Sequence, residues 1–214
     1  MQYQYINVEP LTASIGAVIS GVNLGEDLSE PVMTEIHAAW LEHLVIFFRE
    51  QHLSEQQHIA LGQEFGELHI HPAAPYRHEN PALMVVHTDA DSHRNNGEVW
   101  HSDVSADEKP PKASILYLQT VPETGGDTIW ANMYAAYEAL SGPIQELLGS
   151  LSARHEADYS GFYGEHKPQR KNPHAEHPVI RTHPETGRKA LFVNQGFTKR
   201  ILGLSRDESS ALLQ

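Results

Sequence analysis

The chain has 214 residues, 40% of them hydrophobic and 20% charged, which is enough apolar material for one domain with a packed core. Its formal net charge of −13, with only 15 Lys and Arg, argues against nucleic acid or an anionic membrane as a partner. It has no cysteine, so disulfides and thiolate metal sites are excluded and any metal must be held by nitrogen and oxygen; histidine, at 15, is in surplus.

The opening MQYQYINVEP lacks the pattern of a secretory signal, and no run reaches the length of a membrane-spanning helix. The expected location is therefore the cytoplasm. No repeat or linker divides the text, so residues 1–214 read as a single domain.

In chain order, residues 1–28 alternate weakly and carry Gly16, Gly21 and Gly25, as a short strand pair would. Ser29 and Pro31 open a helix that runs to about His43, by capping and by proline's tolerance in a first turn. LVIFF (44–48) reads as a buried strand. Ser54 starts the capping box SEQQ, and its helix should end near Gly66. LMVVH (83–87) is a further strand, followed by a polar, turn-rich loop over 88–98. SILYLQT (114–120) and TIWAN (128–132) read as strands joined by the turn PETGGD. MYAAYEALS has helical spacing, and 158–177 reads as a long polar loop. HPVIRTH, PETG and KALFV make a strand, a turn and a strand. A last capping box, Ser205 to Glu208, starts a helix whose two turns would be marginal alone.

The chemistry concentrates in EVWHSDVS (98–105). In a strand, His101 and Asp103 would point to the same side. They would supply two of the two-histidine, one-carboxylate set that holds non-haem Fe(II) and leaves positions open. Spacing alone does not single this pair out. His87 and Asp89 repeat it, and His69 and His71 offer two imidazoles on one face of an extended segment.

The surrounding text does. WHSDV, then PPKASILYLQTVPETGGDTIWANMYAAYEALS, resembles the taurine dioxygenase family of Fe(II)- and 2-oxoglutarate-dependent oxygenases. LVIFFREQHLSEQQ with FGELHIHP (44–72), and HPVIRTHPETGRKALFVNQGFTKRI (177–201), extend the likeness over most of the chain and in the same order. The resemblance implies a mainly β, α+β fold: a double-stranded β-helix, or jelly-roll, barrel with flanking helices. It implies Fe(II) as cofactor, 2-oxoglutarate as co-substrate, O2, and a small anionic organic substrate. Homo-oligomers are the expectation for such a protein.

By the same resemblance, His101 and Asp103 are metal ligands on an inward-facing barrel strand. Thr128, at the end of TGGDT, contacts a carboxylate of 2-oxoglutarate, and Phe197 forms an aromatic wall of the substrate pocket beside Asn194. His71 faces the anionic group of the substrate, a place that suits an imidazole donor. Ala74 and Gly97 occupy pocket positions where the taurine enzyme has a tyrosine and an asparagine. Losing those polar partners disfavours taurine itself and points to a larger or more apolar sulfonate, an alkyl sulfate ester or an aryloxy acid. The family's second iron histidine and its 2-oxoglutarate arginine match nothing here, so the chain is expected to lack its C-terminal part. Two rival readings are a Zn or Mn enzyme on a cupin-type barrel built around His69 and His71, and a non-catalytic member that binds a small anion or self-associates.

Overall fold

Residues 2–71, 80–89, 97–159 and 172–214 are described in a computed structural model. The chain forms two compact units, one of Met1–Glu67 with Ile115–Ala136 and the other of Leu68–Ser114 with Tyr137–Gln214.

In the first unit, β1 (Asn7–Pro10) pairs antiparallel with β2 (Ala17–Ser20), Val8 opposite Ile19. Ala17 and Ile19 point into the core because alternate residues of a strand share a face. β2 then pairs in parallel with β3 (Ile46–Phe48), which requires a crossover, and α1 (Glu30–His43) supplies it. Pro31 lies in the first turn of α1, as expected. The helix stops where Leu44 turns to φ 69, its N–H donating to the Trp40 carbonyl at 2.7 Å. α2 (Glu55–Glu64) carries the predicted capping box between Ser54 and Gln57. Ile6, Ile19, Leu24, Ile36, Ala39 and Leu61 form the core of this unit. The N-terminal segment hangs from one carboxylate: Glu35 accepts the backbone N–H of Gln4, Tyr5 and Ile6 at 2.7, 2.9 and 3.2 Å. α3 (Met133–Glu138) starts at Asn132, whose side-chain oxygen accepts the N–H of Tyr134 and Ala135.

In the second unit, α4 (Gly142–Gly149) leads to β4 (Ser152–Glu156), the middle of an antiparallel sheet ordered β5 (His174–Pro178), β4, β8 (Thr198–Ile201). β6 (Ile180–Thr182) and β7 (Lys189–Leu191) form the predicted hairpin, closed through Gly187 at φ 69. α5 (Arg206–Leu213) carries the predicted Ser205–Glu208 capping box. It is docked on β8: Ser209 Oγ accepts the Ile201 N–H at 2.8 Å, and Leu213 packs on the Leu148, Ala153, Val179 and Ile201 core.

Several expected elements differ. The stretches 83–87, 114–120 and 128–132 have no ladder partner among the described residues. A lone extended segment gains no inter-strand hydrogen bonds, and these stretches leave Val85, Leu116, Leu118 and Ile129 64–69% exposed. The predicted loop over 158–177 ends early because β5 begins at His174; residues 160–171 lie outside the described residues. Among the described residues the fold is mixed α/β, with two three-stranded sheets and one two-stranded sheet, and they do not close a barrel.

Ile36, 1% exposed, should lose about 2–5 kcal/mol of unfolding free energy as Ile36→Ala, by burial lost and cavity left. Ser54→Ala should cost about 0.5–2 kcal/mol by removing a cap. Urea denaturation of both variants measures the ranking.

Candidate metal centre

The segment from Gly97 to Asp107 is neither helix nor strand. His101 and Asp103 therefore do not lie on a barrel strand as expected, yet their side chains still converge, with His101 Nε2 and Asp103 Oδ1 3.2 Å apart. What a strand would have done by alternation, a tight turn does by strain. Val104, 3% exposed, has φ 53, a left-handed conformation that a β-branched residue resists. It folds the chain back immediately after the carboxylate.

Each partner is also oriented from behind. His101 Nδ1 lies 2.8 Å from the Val99 carbonyl and donates to it, which leaves Nε2 as the lone-pair nitrogen of the neutral ring. Ser114 Oγ donates to Asp103 Oδ2 at 2.5 Å, which leaves Oδ1 turned toward His101. Two lone-pair donors face each other and need a cation between them. A proton serves, and the hydrogen bond between the two raises the His101 pKa and lowers that of Asp103. A metal ion serves equally: donors about 2.1 Å from one ion and at right angles stand about 3.0 Å apart. The pair fits two adjacent positions of such an ion. Among the described residues, no group of three His, Asp or Glu side chains closes around one.

The loop 192–197 forms one wall. Gly196 N–H donates to the Trp100 carbonyl at 3.0 Å, and a Cβ on Gly196 would crowd His101 Cβ at 3.1 Å, so glycine eases this close approach of the two backbones. Phe197 stands edge-on to His101, ring centroids 6.2 Å apart, and packs on Ala106, Ala157 and Tyr159. Gly97 is also beside the histidine: it has φ 89, and a Cβ there would reach His101 Cε1 at 3.4 Å. Its backbone conformation alone favours glycine there, apart from any role in a pocket.

His71 is half-buried, its ring 5.3 Å from that of Tyr159. Burial lowers its pKa, and the charges of Asp103 and Asp107 pull the other way. The net shift is downward, toward the neutral ring. Thr128 is exposed in the first unit. Ala74 lies outside the described residues.

The competing pairs separate on geometry. His87 and Asp89 also approach, at 3.3 Å, but the His87 side chain is 77% exposed against 32% for His101. His69 is engaged by Asp107 at 3.0 Å. Sequence reading missed Ser114, Ser105 and His155. Ser114 lies 11 residues from its partner, and no spacing rule joins them. Ser105 and His155 are both wholly buried and their side chains lie 3.0 Å apart.

The family model described as "Taurine catabolism dioxygenase TauD, TfdA family" matches residues 7–214. An alpha-ketoglutarate-dependent sulfate ester dioxygenase of Pseudomonas putida is 39% identical over 97% of this chain and 72% of its own length. A Schizosaccharomyces pombe relative is 36% identical over 96% of this chain, which spans 55% of that relative's length. A crystal structure of a taurine dioxygenase from Burkholderia xenovorans superposes with a TM-score of 0.84 at 37% identity, over 98% of this chain and 70% of its own.

Burial, and then the neighbouring His177, push the His155 pKa down from 6.5 to about 4. The folded state keeps this ring neutral while the unfolded chain takes up a proton between those values. The stabilisation is therefore complete above pH 6.5 and lost as pH falls toward 4, by on the order of 3 kcal/mol. Urea midpoints across that window should fall in the parent and flatten in His155→Gln.

Proposed function

The chain belongs to the taurine catabolism dioxygenase TauD, TfdA family, and from that membership we propose that it works as an Fe(II)- and 2-oxoglutarate-dependent dioxygenase on a small anionic organic substrate. The observation that carries the reading is the meeting of His101 Nε2 and Asp103 Oδ1, each oriented by a hydrogen bond on its far side. The finer fold reading, a jelly-roll barrel, is supported by the likeness to the Burkholderia structure.

When bound, Fe(II) supplies the redox chemistry by which O2 and 2-oxoglutarate yield succinate, CO2 and a hydroxylated substrate. The protein's own groups do the holding and aiming. His101 presents Nε2 because Val99 occupies Nδ1, and Asp103 presents Oδ1 because Ser114 occupies Oδ2. Phe197 lays an apolar edge beside His101 and keeps water from that side. The neutral His71 donates a hydrogen bond to the anionic group of the substrate. Thr128 keeps the role the family likeness assigns it, a donor to a 2-oxoglutarate carboxylate.

The substrate is a sulfonate, an alkyl sulfate ester or an aryloxy acid. The sulfate ester activity named for the Pseudomonas relative supports this class. Hydroxylation of the carbon that bears the sulfate oxygen gives an adduct that breaks its C–O bond, forming an aldehyde and releasing sulfate.

Asp103→Ala should abolish Mn(II) binding in titration calorimetry, with Mn(II) standing in for Fe(II), whereas Asp89→Ala should stay within about twofold of the parent. Equal losses would remove the preference for the 101–103 pair. In a substrate panel read by succinate release, alkyl sulfates and larger sulfonates should outpace taurine. A preference for taurine would overturn the pocket reading drawn from Ala74 and Gly97.

A further inference from the structure

Behind the metal pair, the turn from Asp103 to Asp107 is gripped from several distant parts of the second unit. Ser105 is wholly buried, and its hydroxyl accepts from Asn194 Nδ2 at 3.1 Å and lies 3.0 Å from His155 Nδ1. His155 Nε2 is 3.4 Å from Thr198 Oγ1, the longest link, and Thr198 Oγ1 accepts the Asn194 N–H at 2.9 Å. Three of these links join side chains, and the Asn194 backbone N–H closes the ring. Asn194 Oδ1 meanwhile accepts the Phe197 N–H at 2.9 Å, so the same residue sets the wall beside His101.

The far end of the turn is held as well. Asp107 Oδ2 meets His69 Nε2 at 3.0 Å, and the Asp107 carbonyl accepts from His177 Nε2 at 3.0 Å. Three alternate residues, Asp103, Ser105 and Asp107, thus each meet a histidine: His101, His155 and His69. A neutral His155 carrying its proton on Nε2 completes the ring, because Ser105 accepts from Asn194 and donates its own proton to Nδ1. Phe192 stacks on the His155 ring, centroids 5.7 Å apart and planes 23° from parallel, which fixes the orientation of the imidazole.

Between the two anchored ends lies Val104 in its left-handed conformation. Such a backbone persists only where its surroundings over-determine it. Here the surroundings are the contacts of Asp103 with His101 and Ser114 before it, and the buried ring at Ser105 with the Asp107 contacts after it. We propose that the Ser105–His155–Thr198–Asn194 ring is a positioning device: it holds the 103–107 turn strained so that Asp103 faces His101. The metal role of that pair rests on the reading above; the mechanical role of the ring does not.

Hydrogen exchange on the full chain tests the ring without metal. In Ser105→Ala and His155→Phe, amides from Asp103 to Asp107 should exchange at least about tenfold faster, while those of β1 to β3 stay within about twofold. Thr198→Val, a near-isosteric loss of the longest link, should give a smaller rise at the same amides and guards against a Ser105 variant that fails to fold. Leu148→Ala, which destabilises the same unit through its core, should not single out these amides. Parent-like exchange at 103–107 in the ring variants, or an equal local rise in Leu148→Ala, would overturn the proposal. A second measurement addresses the metal: Mn(II) affinity should fall about 10–100-fold in Ser105→Ala and stay within about twofold in Leu148→Ala. A parent that does not bind Mn(II) would refute the metal reading and leave the exchange result to decide on the ring.

Discussion

Two lone pairs brought face to face are the constraint on which the candidate site depends. His101 Nε2 and Asp103 Oδ1 repel unless a positive charge lies between them, and both have been denied any other hydrogen-bonding orientation. A side chain left to itself would rotate away. Val99, Ser114, Gly196 and Phe197 keep the imidazole and the carboxylate from doing so, each by a short-range contact with one of the two residues or the backbone beside them. The selectivity of the arrangement for a cation comes from what these neighbours prevent.

Much of the frame could be read from the text. The capping boxes at Ser54 and Ser205 are local features, and both form as written. So do the proline-opened helix α1 and the hairpin of β6 and β7. β4 and β5 escaped notice for a definite reason. Their inward positions are Ala153 and His155, and Ala175 and His177, where a sequence reader looks for valine or isoleucine. Period-two burial is present in both strands, but the residues that carry it are small or polar. The opposite error arose at SILYLQT and TIWAN. Their β-branched and aromatic content is that of strands, but content does not supply a partner strand.

The site was legible as a pair and illegible as a setting. His-x-Asp could be found by eye, and the family likeness decided which of two such pairs to prefer. The strand assumed to present it is a strained turn. The groups that orient it come from Ser114, His155, Asn194 and Gly196, joined to it by tertiary structure alone. Gly97 is instructive: the text suggested a pocket position stripped of its side chain, while the backbone shows a residue at φ 89, a conformation that favours glycine on its own.

The grip on the 103–107 turn also bears on when the site comes into being. The Asp107–His177 contact closes over 70 residues of sequence and Ser105–Asn194 over 89. Contacts of such separation form late, after much loop entropy has been surrendered. While the chain is being synthesised, the His101 segment emerges well before Asn194 and Thr198 exist to brace it. The nascent polypeptide therefore carries His101 and Asp103 before the geometry that turns them toward each other, and that geometry waits until these distant segments have docked.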